Sequence, residues 1–296
     1  MRALRMYLLG FVLVLAAQSG AAVTIEALSC EYLVDPIGID AVPPRVSWQI
    51  VSDARGERQT AYQILVARSA EALAKNAGDL WDTGKVASDR SVHLEYAGAA
   101  LSSRQRCHWK VRVWDKDGQA SAWSAPAFFE MGLLVNDDWQ AKWVSAPAVA
   151  PGSLDAQPSP FFRKAFALDK PIKSARAYIC GLGYYELYLN GQKVGDHVLD
   201  PAFTRYDRRV LYVTYDVTNL LVPGKNAAGV VLGNGWYNPH VTDVWDFHKA
   251  PWRDRPVMCC QIEATLEDGS RAAAGYYFVR MNAAGHTQTR RLVLMR

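Results

Sequence analysis

Charge of either sign is thinly and evenly spread along this sequence. Thirty-three lysines and arginines face 29 acids over 296 residues, for a formal net charge of +4. No Lys/Arg run occurs, and no basic stretch is interleaved with aromatics, so the electrostatic footprint of a nucleic-acid partner is missing. Cysteines number five and histidines six, and none has the spacing of a zinc site. An odd cysteine count leaves at least one thiol unpaired. Cys30, Cys107, Cys180, Cys259 and Cys260 lie in apolar, strand-like contexts, where they read as small buried hydrophobes rather than a disulfide framework. There is no phosphate-binding glycine loop, no nucleophile triad and no cofactor motif, so no metal or other cofactor is expected. Long apolar runs are also absent after the first 22 residues, which excludes a membrane-spanning helix there.

Those first residues have their own logic. Arg2 and Arg5 form a positive start, Tyr7–Ala17 an apolar stretch too short to span a bilayer comfortably, and Ser19–Ala22 a run of small residues. Residues 1–22 therefore read as a secretory signal, with export to the periplasm or the extracellular space as the expectation. Its removal would take away both arginines and leave a charge of +2.

What is abundant is apolar and aromatic. Half the residues are hydrophobic and ten are tryptophan, enough for two domains that each bury a core. Within residues 23–133, strand-like runs occur at Pro44–Ile50 and Gln59–Ala67, with Trp48 as a core plug. A serine-capped helix is expected within Ser69–Leu80, and a hairpin across Cys107–Phe129 turning at Asp115–Gly118. Asp138–Val144 alternates and opens a second domain, residues 134–270. Ser145–Pro160 is rich in Ala, Pro and Ser and reads as an exposed loop or tether.

The most informative stretch is Tyr178–Asn238. Tyr185, Leu187 and Leu189 alternate with Glu186, Tyr188 and Asn190, and Asn190-Gly191 then marks a tight hairpin. Val210–Tyr215 alternates again, Pro223-Gly224 turns, and Ala228–Leu232 is apolar enough for a buried strand. Gly233 and Gly235 bracket Asn234, so the backbone can bend sharply and bring Trp236 and Tyr237 to a loop tip.

The run GLGYYELYLNGQKVGD, followed by DPAFTRYD, YDVTNLL, GKN and LGNGWYN, resembles the N-terminal region of bacterial α-L-rhamnosidases. The resemblance covers about residues 24–270. It implies an all-β chain of two β-sandwiches, the first fibronectin type III-like, the second a jelly roll of the galactose-binding-like kind. It also implies rhamnose-containing glycans as partners. The family's catalytic acids belong to a later α/α-barrel, which this chain stops short of, so no catalytic residue is assigned here.

Asn234, Trp236, Tyr237, Trp245, Asp246 and Trp252 fall within twenty residues, beside His240, Asp243 and His248. Flat aromatics stack on the C–H faces of sugars while amides and carboxylates take the hydroxyls, so these six are the candidate carbohydrate-binding residues. The same composition suits packing against a missing catalytic domain, and a free-standing adhesion or scaffold role is a third reading. Glu186, Asp196, Asp200, Asp207, Asp216 and Asp254 read as turn, cap or surface carboxylates. Arg271–Arg296 holds five arginines and no acid. It reads as an atypical tail, truncated or frame-shifted, and no strand is expected in it.

Overall fold

The computed structural model describes residues 23–146, 158–242 and 245–272, and the backbone of Val279–Ala283 and His286–Arg290. Residues 1–22, expected to be a secretory signal, Asp243 and most of the Ala/Pro/Ser-rich stretch lie outside the described residues. The chain is all-β and divides into two compact units. One comprises the chain up to Asp35, Pro43–Ala99 and Cys107–Phe128; the other comprises Pro36–Val42, Ala100–Arg106 and everything from Phe129 onward.

In the first unit Thr24–Cys30 pairs antiparallel with Arg45–Val51, which also carries Leu94–Glu95. Ala61–Ala67 lies between Arg106–Trp114 on one side and the short strands Trp81–Asp82 and Val86–Ala87 on the other. Trp48 is buried, and its indole Nε1 donates to Gln59 Oε1 at 3.0 Å, so the polar edge of the plug is satisfied. The expected helix is Ala70–Ala74, started by Ser69, whose Oγ accepts from the Ala72 amide at 3.2 Å. Asn76 stops it with a left-handed φ of 56°.

The returning arm of the 107–129 hairpin is not regular strand along its first half. Val113 and Val111 donate their amides to Ser121 Oγ and Ser124 Oγ, both at 3.1 Å. Two hydroxyls thus stand where ladder carbonyls would, and regular strand resumes only at Ala127–Met131.

The second unit is a sandwich of two four-stranded sheets. One runs in the order Val144–Ser145, Val257–Leu266, Ile172–Leu182, Val213–Asp216; the other in the order Phe161–Leu168, Gly224–Gly233, Tyr184–Leu189, Gln192–Lys193. Between them Ile179, Leu187, Leu189, Val217 and Leu232 form the centre of the core. Gly224–Gly233 alternates rather than being buried throughout: Ala228, Val230 and Leu232 point inward, Gly229 and Val231 outward. One residue passes the chain from sheet to sheet. Gly183 separates Ile172–Leu182 from Tyr184–Leu189 with φ of 100°, and a Cβ there would lie 2.2 Å from the Gly233 carbonyl oxygen. Only glycine fits that crossing.

Two expectations are corrected. Asp138–Val144 is not a continuous strand: Asn136–Asp138 is a 3₁₀ turn, and only Val144–Ser145 pairs. Side chains override the alternation, since Gln261 Oε1 accepts from the Gln140 and Ala141 amides at 2.6 and 3.0 Å. Asp138 meanwhile takes hydrogen bonds from Ser103 Oγ and, at 2.6 Å, from Arg104. In the tail, Val279–Ala283 and His286–Arg290 pair as an antiparallel hairpin. The short alternation of Val279, Met281 and Ala283 with Arg280 and Asn282, then of threonines with larger polar residues, is the signal for it.

Candidate functional site

The site grows from the point where two glycine motifs meet. Tyr184 pairs in register with Gly233 immediately after the Gly183 crossing. The Tyr184 ring then lies beneath Gly235, whose φ is 49° and whose added Cβ would sit 3.1 Å from two ring carbons. The loop is closed by a turn: Asn238 N donates to Asn234 O at 3.1 Å, and Asn238 Nδ2 to Asn234 Oδ1 at 3.2 Å. Asn238, only 2% exposed, also accepts at Oδ1 from Arg253 Nε at 3.0 Å. Arg253 in turn donates through Nη1 to the His248 carbonyl at 3.1 Å. One buried amide thereby ties both ends of the 234–253 loop.

On this frame the aromatic rings form a continuous series. Buried Tyr237 meets Tyr206 edge-on at 5.3 Å, and Tyr206 meets Trp252 at 6.2 Å. Phe203 is stacked on Phe247 at 5.3 Å and 24°. Phe247 is the hub, with Trp252, Trp236 and Trp245 all within 6.0 Å of its centroid. Trp236 and Trp245 are 6.4 Å apart and inclined by 36°. Exposure grades along the series: Tyr206 and Tyr237 are buried, Trp236 and Trp252 half-buried, Phe203 is 45% exposed and Trp245 80%. Burial pushes the Tyr206 and Tyr237 hydroxyls up to about 12, so both are neutral donors at physiological pH.

Three polar atoms at this site have no hydrogen-bond partner among the described residues: Tyr206 OH, Trp252 Nε1 and His248 Nδ1. Asp246, in contrast, is paired at the surface. Lys249 Nζ lies 3.0 Å from its Oδ1 and holds its carboxyl below the usual range, through the hydrogen bond first and the charge second.

The six residues predicted from sequence therefore divide. Trp236, Trp245 and Trp252 join one aromatic series, and Asp246 stands beside Trp245 at the exposed end. Tyr237 packs inward on Tyr206, and Asn234 holds the turn. Phe203, Tyr206 and Phe247 complete the series, and Asn238 its anchor; the aromatic spacing in DPAFTRYD is the sequence signal for the first two.

Four other carboxylates of the second unit are occupied. Glu186 accepts from Tyr188 OH at 2.7 Å and Lys193 Nζ at 3.0 Å. Asp200 Oδ2 lies 2.7 Å from His197 Nδ1 and accepts from Tyr215 OH at 2.9 Å. Arg205 holds Asp207, and Thr218 with Arg176 holds Asp216. Among the described residues no group of three or more His, Cys, Asp or Glu is placed to hold a metal ion, and no helix is long and apolar enough to cross a membrane.

Known proteins match this chain in both units. Residues 25–135 match the Rha78A-like N-terminal immunoglobulin domain, and residues 170–274 the alpha-L-rhamnosidase N-terminal domain. An alpha-L-rhamnosidase of Formosa agariphila is 42% identical over 260 residues, covering 80% of this chain and 27% of its own length. The solved alpha-L-rhamnosidase from Dictyoglumus thermophilum is 38% identical with a TM-score of 0.75, over 88% of this chain and 30% of the other. The Streptomyces avermitilis alpha-L-rhamnosidase, solved in complex with L-rhamnose, is 27% identical with a TM-score of 0.79, over 88% of this chain and 41% of the other. The chain spans well under half the length of each of these relatives.

Proposed function

Because the chain belongs to the α-L-rhamnosidase family, of which it carries both N-terminal domains, we propose that it is a non-catalytic, carbohydrate-positioning portion of a secreted glycoside hydrolase of that type. The observation carrying this reading is the graded aromatic series that ends at 80%-exposed Trp245, beside the fixed Asp246–Lys249 pair. An exposed indole offers a face for the apolar side of a pyranose, and a charged pair next to it can take hydroxyls. Glycoside hydrolysis calls for two carboxyl groups flanking one bond, whereas Glu186, Asp200, Asp207, Asp216 and Asp246 each answer to their own donors. Binding through one stacking platform would have a Kd of ~0.1–1 mM.

Affinity electrophoresis through gels containing a rhamnose-rich polysaccharide tests it. The wild-type chain is expected to be retarded and to leave an aryl α-L-rhamnoside uncleaved. Trp245→Ala and Trp236→Ala are expected to fold yet run freely. Turnover by the purified chain would overturn the non-catalytic reading.

A second reading rests on the same exposed rings: Phe203 and Trp245 as a docking face for the remainder of a longer enzyme. Unchanged retardation of both tryptophan variants favours it over glycan contact.

A further inference from the structure

Outside the sandwich core, on the opposite face of one sheet, two cysteines are brought side by side. Cys180 and Cys259 are direct cross-strand partners of Ile172–Leu182 and Val257–Leu266. Their neighbours Ile179, Met258 and Cys260 belong to the core, so Cys180 and Cys259 project outward together. There they line a cleft of about 420 Å³ with Trp139, Trp143, Val210 and Tyr212. Both thiols are free and buried. We propose that Cys180 and Cys259 form a two-thiol site for a soft divalent metal ion of two-coordinate habit, with mercury(II) as its representative.

The register argues for a bridging ion and against a disulfide. Ala175 donates its amide to Thr218 Oγ1 at 2.9 Å and accepts from Val217 N at 3.1 Å, so its backbone faces the Val213–Asp216 strand. Five residues on, the alternation turns the backbone of Cys180 the other way, toward Cys259. The pair is then a hydrogen-bonded one, with Cα atoms roughly 5.5 Å apart. A disulfide needs Cβ atoms about 3.5–4.5 Å apart, closer than such a pair delivers. An ion placed between the sulfurs, with bonds of about 2.3 Å as in zinc–thiolate, sets them about 4.6 Å apart against about 2.0 Å in a disulfide, which suits the wider pair.

Chemistry selects the ion. Thiols buried in apolar surroundings meet the metal protonated. Each then loses its proton as a metal–sulfur bond forms: Hg²⁺ + 2 RSH → Hg(SR)₂ + 2 H⁺. The product is neutral, so no net charge is left among the rings of the cleft. Zinc, which in structural sites takes four ligands, finds only these two cysteines and no His, Asp or Glu among the described residues lining the cleft.

The test is a titration of the folded chain with mercuric chloride, following tryptophan fluorescence, which a heavy atom beside Trp139 and Trp143 quenches. Expected are a break at one equivalent and release of two protons per ion in unbuffered solution. Cys180→Ser and Cys259→Ser should each abolish the break, and Cys260→Ser should keep it. A break that survives in Cys180→Ser and Cys259→Ser overturns the site. So does a single proton per ion from the wild-type chain, a readout independent of how the variants fold. Equal affinity for zinc would also overturn it.

Discussion

Arg253 is held by Asn238: the guanidinium Nε donates to the buried amide oxygen at 3.0 Å, across fifteen residues of loop. Asn238 is only 2% exposed and Arg253 is half-buried, so removing either costs the other a hydrogen bond in a place largely screened from water. Asn238→Ala should cost ~1–3 kcal/mol, the range for stranding a buried polar group. For a domain of this size, 2 kcal/mol corresponds to a fall in Tm of about 4–8 °C. Thermal denaturation read by near-ultraviolet circular dichroism checks it, and a Tm within one degree of wild type would assign the amide no structural role.

Acid should weaken the second unit through Asp138. Burial pushes its carboxyl up, but hydrogen bonds from Ser103, Arg104 and the Val135 amide more than offset this and hold it below the ordinary range. Asp216 is lowered likewise, burial opposing and the Thr218 hydroxyl and amide prevailing. The folded chain thus binds these protons less readily than the unfolded one. Their contribution is complete above about pH 4 and fades as pH falls through the lowered values. Urea midpoints are expected to be level from pH 7 to 5 and to fall below pH 4. Asp138→Asn should lower the midpoint at pH 7 and flatten the acid fall; an undiminished fall in that variant would shift the effect to other groups.

Two glycine substitutions should separate strain from collision. Gly191→Ala meets open space at φ of 84° and should cost only about 1–2 kcal/mol, the left-handed penalty. Gly183→Ala at φ of 100° also drives a Cβ to 2.2 Å from the Gly233 carbonyl. It should exceed ~3 kcal/mol and give little soluble protein. Comparable melting of the two variants would refute the crossing described above.

Export predicts a new N-terminus near Val23 when the chain is expressed in a Gram-negative host and recovered from the periplasm. Intact mass decides it, and a cytoplasmic product that keeps Met1 would stand against it.

The sequence was a good guide wherever local chemistry acts alone. Asn190 and Gly191 adopt φ of 50° and 84°, as an Asn-Gly hairpin requires, and Ser69 caps its helix. Trp236, Trp245 and Trp252 could be grouped because one loop carries them all. Phe203 and Tyr206 could not, since a different loop supplies them and only the fold brings them to Trp252. The strand expected at Asp138–Val144 failed for a related reason: Gln261, more than a hundred residues away, competes for its amides.

The crossing at Gly183 also sets an order of events. The aromatic loop is rooted where Gly183 abuts Gly233, fifty residues later in the chain, so its base exists only after Tyr184–Leu189 has found Gly224–Gly233. Closing a loop of that length carries its entropic cost before any ring contact rewards it. The rim therefore cannot form before that pairing does, and a chain halted short of it would carry its tryptophans without the surface they make.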